Sequence, residues 1–189
     1  MSPKWIAIIG CTVIGLLLLG FVAFLIAAPI VNERAMRSKS RDNMRSVLTL
    51  RLTKRIDVPL HGRNWILALV ATGQVRASHR MNLEFLFPLT VTGLDGVDLA
   101  EYQALTLDLL KTKRFPHLTG YAGPGPLEPG WDGPRPLIGD LTSDDGASIG
   151  FSDGTVRWLD REELGLGDDD PIRCGPASRA PLLRMLSDD

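Results

Sequence analysis

The sequence predicts an α+β fold in which a long N-terminal membrane-spanning helix precedes a small globular domain with a C-terminal antiparallel β-hairpin. Three observations predict it: an uncharged apolar run near the N-terminus, a helical pattern in the middle, and an alternating segment around Asp153-Gly154. We expect four parts: a transmembrane anchor (1–31), a basic amphipathic helix continuing it (32–57), a globular α+β domain (58–166) and an acidic C-terminal tail (167–189).

The anchor is predicted from the length of one apolar run. The stretch WIAIIGCTVIGLLLLGFVAFLIAAPIV, from Trp5 to Val31, contains no charged residue. A bilayer core needs about 20 apolar residues of helix, whereas the apolar region of a secretory signal has about 7–15. The length therefore favours a retained single-pass anchor over a cleaved signal or a buried core helix.

The charge of the chain is divided between its two ends. Residues 1–57 have a balance of +6 and the remainder one of −7, although the whole chain has a net charge of −1. A basic front and an acidic back, with few aromatic residues, argue against a nucleic-acid surface. Beyond the anchor, apolar residues fall near one helical face and arginines largely elsewhere, which predicts that the helix continues to about Arg55; the apolar set is Met36, Met44, Val47 and Leu48.

Two helices are predicted in the globular domain. The stretch NWILALVATG reads as a short helix that begins at Asn64 as N-cap and stops at Gly73. The stretch VDLAEYQALTLDLLKTK, residues 97–113, reads as one helix with a capping box formed by Asp98 and Glu101. Between them, residues 83–93 read as extended, with Pro88 indicating an edge or a break.

Glycine and proline dominate residues 120–136, GYAGPGPLEPGWDGPRP. Such a composition excludes regular structure. Because the segment also holds Tyr121 and Trp131, we expect a loop packed on the domain rather than a free tether. In the acidic tail we expect a loop and then one short helix over residues 180–186.

The hairpin is predicted from GASIGFSDGTVRWLD, residues 146–160. Asp-Gly is a preferred pair for the two central positions of a type I′ turn, so Asp153 and Gly154 are interpreted as a structural turn. With a two-residue turn, Phe151 lies opposite Val156. Four apolar side chains then share one face, and a shift by one residue would mix the faces; they are Ile149, Phe151, Val156 and Trp158.

Acidic residues near the hairpin raise a second interpretation, a calcium site. Calcium binds several oxygen ligands, and four aspartates lie close together in sequence: Asp140, Asp144, Asp145 and Asp153. Their spacing matches no EF-hand loop, which favours a solvated turn over a calcium site. Two distant cysteines and three scattered histidines offer no zinc spacing. We therefore expect no cofactor, with calcium at these four aspartates as the alternative.

Three segments resemble bacterial pilin-like proteins, which carry a prepilin-type N-terminal helix and a C-terminal H-x9-DG motif and are related to type II secretion pseudopilins. The stretch from Gly10 through Cys11 to Gly15 resembles the prepilin processing box, and Asn43-Met44 is similar to a pair in the family's helical extension. The stretch PLIGDLTSDDGASIGFSDGTVRWLD resembles the terminal block. Gly15 stands where the family has its glutamate, and Ser143 where it has the motif histidine.

The resemblance implies a membrane-anchored structural or interaction protein in the bacterial inner membrane, with its soluble domain outside the cytoplasm. Its partners would be copies of itself or other pilin-like subunits. No catalytic motif of the elbow, P-loop or H-E-x-x-H kind is found, so we expect neither an enzyme nor a small-molecule substrate. Two alternatives stay open: a calcium-binding envelope protein, and a cytoplasm-facing membrane adaptor, which the lysines and arginines flanking the anchor favour.

Overall fold

The computed structural model of the 189-residue chain describes Phe21, Ala28, Val31 and the ranges 34–54, 59–78, 83–88 and 98–189. The chain divides into two compact units, residues 1–38 and residues 39–189. In the first unit, the described residues are all helical. The elements named below belong to the second unit.

The membrane-spanning helix is the main correction to the predicted fold. Among the residues that the structure describes, no helix is both long enough and apolar enough to cross a membrane. The predictions of a single-pass transmembrane protein and of a fold built on such a helix are therefore wrong for the described chain. Most of the apolar run lies outside the described residues, as do Gly10 and Cys11. What the structure shows is a small α+β domain.

The second unit begins with helix α1, residues 39–53. Met44, Val47 and Leu48 are fully buried, and their spacing of three and four residues places them on one side of the helix. Arg45 is exposed and pairs with Asp42 at 2.9 Å, whereas Arg51 is buried and lies 4.5 Å from the centre of the Trp65 ring. The amphipathic pattern in the sequence therefore identifies the face of α1 that enters the core.

Helix α2 spans Gly62–Ala71. It therefore begins two residues before Asn64, the predicted N-cap. The Asn64 side chain is instead buried within the helix and donates to the carbonyls of Leu110 at 2.7 Å and Lys113 at 2.6 Å. The predicted stop is present, since Gly73 takes a φ of +72° just after the helix.

The predicted single helix over residues 97–113 is two helices, α3 (Leu99–Gln103) and α4 (Leu107–Thr112). Asp98 caps α3 by accepting from the N–H of Ala100 at 2.9 Å. Thr106 takes an extended conformation and caps α4 by accepting from the N–H of Leu109 at 3.2 Å. The prediction of one helix was wrong because Thr106 starts a new one. The region predicted to be extended holds a 3₁₀ helix, Glu84–Leu86.

In the part of the chain that the structure describes, five strands form two small antiparallel sheets. Strands β2 (Pro136–Asp140), β3 (Gly146–Phe151) and β4 (Val156–Asp160) lie in the order β2-β3-β4. Strands β1 (Gly123–Pro124) and β5 (Leu186–Ser187) pair with each other, and helix α5 (Pro181–Arg184) directly precedes β5.

The segment interpreted as an acidic tail, residues 167–189, is part of the folded domain. Leu183, Met185 and Leu186 are fully buried. The Asp189 carbonyl accepts from the N–H of Arg63 at 3.2 Å, in the first turn of α2. The segment therefore packs on the domain through apolar side chains, and Asp188 adds an ion pair with Arg63 at 3.2 Å.

The predicted hairpin is present, but its register differs by one residue. Gly150 lies opposite Val156, and Ile149 lies opposite Arg157. The N–H of Gly154 donates to the Phe151 carbonyl and the N–H of Phe151 donates to the Thr155 carbonyl, both at 2.9 Å. The loop therefore contains three residues and not the two of a type I′ turn. Three-residue loops of this kind carry a left-handed residue at their end, and Gly154 has a φ of +84°.

The altered register divides the four apolar side chains that we expected on one face. Ile149 and Phe151 belong to one apolar cluster, with Leu159, Leu164 and Leu183. Val156 belongs to the other, with residues of α1 and α2. All six residues of β3 are buried, because the sheet is covered on both faces. A Cβ at Gly150 would lie 2.6 Å from Leu48 and from Ile138, so this glycine allows α1 to approach the sheet closely.

Candidate binding site

A groove with a volume of about 680 Å³ lies beside the hairpin. We call it the hairpin groove. Its apolar lining comes from three parts of the chain: the glycine- and proline-rich loop, the hairpin and helix α5. The apolar residues are Trp131, Pro134, Phe151, Leu159 and Leu182. Its volume falls within the range of about 300–1,000 Å³ that is typical of ligand pockets.

The floor of the hairpin groove is formed by β3 and β4. Phe151 and Leu159 are buried and belong to the apolar cluster that also contains Ile149. Arg157 lies directly opposite Ile149, which is in the same cluster, so its side chain leaves the sheet on this face. The three-residue loop causes this, because the predicted register would have placed Arg157 opposite Gly150.

One wall is the loop segment at Trp131. The indole N–H donates to the Pro134 carbonyl at 3.3 Å, and a Cβ at Gly133 would lie 3.1 Å from the ring, so glycine allows the ring to lie close to the backbone. Two hydrogen bonds join this loop to the hairpin turn, one from the Arg135 N–H to Ser152 Oγ at 3.0 Å and one from the Ser152 N–H to the Arg135 carbonyl at 2.8 Å. The wall is therefore fixed relative to the floor.

Two carboxylates lie at the hairpin groove, and each is held by its own loop. Asp153 Oδ1 accepts from the N–H of Thr155 at 2.9 Å and from its hydroxyl at 2.7 Å, and these hydrogen bonds lower the pKa of Asp153. Glu163 accepts from the N–H of Asp160 at 3.1 Å, while the Asp160 carboxylate accepts from the N–H of Glu163 at 2.8 Å. Both carboxylates thus stabilise turns at the two ends of β4.

Arg157 differs from these two carboxylates. It is exposed, and within the described part of the chain its guanidinium has neither a hydrogen-bond acceptor nor an ion-pair partner. A guanidinium presents five donors in a planar fork that suits a carboxylate. The hairpin groove therefore combines an apolar lining with one cation that has no ion-pair partner among the described residues.

The four aspartates proposed for calcium do not share one environment. Asp140 is buried and accepts from the Ser40 hydroxyl at 2.5 Å and from the Thr142 hydroxyl at 2.6 Å. Asp144 and Asp145 are exposed on the loop before β3, whereas Asp153 is in the turn after it. Within the described ranges, no group of three or more His, Cys, Asp or Glu residues could hold a metal ion.

Comparison of the chain with family models, with curated proteins and with solved structures gave no match in any of the three. The pilin-like resemblance accordingly rests on the sequence motifs alone. In the sequence, Trp131 indicated only packing of its loop, and the predicted register placed Arg157 on the face opposite the apolar residues. Arg157 could have been noticed as a charged residue between the apolar positions of a strand. The face of the sheet on which it lies, however, depended on the register of the hairpin.

Proposed function

We propose that this protein is a non-catalytic interaction protein of the pilin-like kind, which receives a segment of a protein partner in the hairpin groove. The observation that carries the proposal is the Arg157 guanidinium on an apolar lining, with no acceptor within the ranges that the structure describes. Aromatic residues and arginine are enriched at protein interfaces, and the side chains that dominate binding energy are most often Trp, Tyr and Arg.

The polar groups of the hairpin groove support binding over catalysis. The Thr155 hydroxyl donates to Asp153, and the resulting hydrogen bonds lower the pKa of that carboxyl group. A general base works best when its pKa is near the working pH, so a lowered pKa makes Asp153 a weaker base. Glu163 is likewise occupied by the N–H of Asp160.

The hairpin groove is also preformed, which favours recognition. Phe151 and Leu159 are part of the packed cluster beneath it, and the Trp131 wall is joined to the hairpin by two hydrogen bonds. A site whose side chains are already ordered loses less conformational entropy when a partner binds.

Site-specific photo-crosslinking tests the proposal. The full chain is expressed in its native cells with benzoylphenylalanine at position 131, and a matched chain carries it at the exposed Arg173, which is outside the hairpin groove. We expect light-dependent protein adducts from position 131 and none from position 173, with the partner identified by mass spectrometry. Adducts from neither position, or the same adducts from both, would contradict the proposal.

A further inference from the structure

We propose that the segment bound in the hairpin groove carries a single acidic side chain, which pairs with Arg157, next to an apolar side chain, which packs on the lining around Trp131 and Phe151. The inference rests on the proposed function and adds the chemistry of the partner. The proposed partner segment is an extended peptide whose acidic group is an internal glutamate or aspartate.

The guanidinium of Arg157 argues for one acid, placed at that end of the lining. Arg157 is the group there without an acceptor in the described part of the chain, so a carboxylate from the partner would satisfy it by two parallel hydrogen bonds. The same lining contains the carboxylates of Asp153 and Glu163. Because like charges repel, a partner with a run of acids would be disfavoured. An acidic residue is therefore favoured only where it contacts Arg157 directly, and further acids on either side of it are disfavoured.

The rest of the lining argues for an apolar neighbour of that acid. Trp131 is half-buried and its ring is fixed by the contact with Gly133 and by the hydrogen bond to Pro134. Fixed aromatic rings stack with aromatic or aliphatic side chains at small entropic cost. A desolvated apolar contact beside the ion pair also shields it from water, which strengthens the pair.

Fluorescence anisotropy with the full chain tests this chemistry. The probe is a fluorescein-labelled hexapeptide with blocked ends and the sequence Ala-Pro-Leu-Glu-Phe-Ala, compared with the same peptide in which Gln replaces Glu. We expect the Glu peptide to bind about 10-fold more tightly, a factor equivalent to about 1.4 kcal/mol. A third peptide with three consecutive glutamates should bind more weakly than the first.

Two variants locate the effect. Arg157→Gln removes the charge from an exposed side chain and should abolish the preference for Glu over Gln, whereas Arg173→Gln, the matched control, should leave it unchanged. Equal binding of the Glu and Gln peptides, no binding of any peptide, or an unchanged preference in Arg157→Gln would overturn the inference.

The crosslinking and the peptide-binding experiments test different claims, so their outcomes can be distinguished. Crosslinked partners at position 131 without a preference for the Glu peptide would overturn the acidic motif and leave the proposed function standing. A preference for the Glu peptide without crosslinked protein would contradict the proposed function, since the hairpin groove would then bind such peptides without meeting a partner in the cell. Equal thermal unfolding of the two arginine variants excludes misfolding as the cause.

Discussion

At the scale of single residues, the hairpin turn shows how one backbone angle fixes a site. Gly154 takes a φ of +84°, which side-chain-bearing residues adopt at a cost. This angle allows a loop of three residues instead of two. The longer loop shifts the register by one residue and so places Arg157 on the face that lines the hairpin groove. Asp153, which the sequence predicts to be a turn residue, accepts two hydrogen bonds from Thr155 within that turn.

Replacing Gly154 by Val should destabilise the domain by about 1–3 kcal/mol, because a β-branched residue is strained at positive φ. A Cβ here would meet only Leu52, at 4.0 Å, so the cost comes from the backbone and not from a clash. Gly154→Asn is the matched control, since Asn tolerates this conformation better. Urea unfolding measures both variants, and equal losses for Val and Asn would speak against a backbone cause.

At the scale of elements, helices α2 and α4 are joined by one buried side chain. Asn64 in α2 donates to the carbonyls of Leu110 and Lys113, at the end of α4. The last carbonyls of a helix have no partner within it, so Asn64 supplies donors that α4 lacks. This contact is one reason why a residue that resembles an N-cap in the sequence lies inside a helix.

Asn64→Ala should lower the free energy of unfolding by about 1–3 kcal/mol, because two carbonyls at the end of α4 lose their donor. Gln103→Ala is the control: its side chain also donates to a carbonyl, that of Ala77 at 3.0 Å, but it is exposed. We expect this control to cost less than about 0.5 kcal/mol. Thermal or urea unfolding compares them, and similar losses would show that burial of Asn64 is not the decisive factor.

At the scale of the second unit, a buried hydrogen bond connects segments 100 residues apart in the sequence. The Ser40 hydroxyl of α1 donates to the Asp140 carboxylate, at the end of β2, at 2.5 Å. Tyr121 is fully buried nearby and donates to the Phe87 carbonyl at 3.1 Å. The bond from Ser40 joins α1 to the sheet, in addition to the apolar contact of Leu48 with Gly150.

Ser40→Ala should destabilise the domain by about 1.5–3 kcal/mol, because it removes a hydrogen bond to a buried charged group. Ser46→Ala, on the same helix, removes only an exposed bond to the Asp42 carbonyl and should cost less than about 0.5 kcal/mol. Chemical unfolding of the two variants gives the comparison. If Ser40→Ala were as stable as Ser46→Ala, Asp140 would not depend on α1.

Local patterns in the sequence predicted those elements whose determinants are close in the chain. The apolar stripe of α1, the cap at Asp98, the stop at Gly73 and the presence of the hairpin all depend on neighbours within a few residues. The division of residues 97–113 was missed because an apolar stripe runs through it, while the decisive feature is a second cap at Thr106.

The sequence by itself determined the α+β class, the amphipathic face of α1 and the position of the hairpin turn. Only the tertiary structure decided the number of residues in that turn, the face on which Arg157 lies and the burial of Asp140 and Asn64. The physical reason is that the turn and Asp140 depend on packing around the sheet, and Asn64 depends on the packing of α2 against α4. Such contacts join residues far apart in the chain, and no short stretch of sequence encodes them.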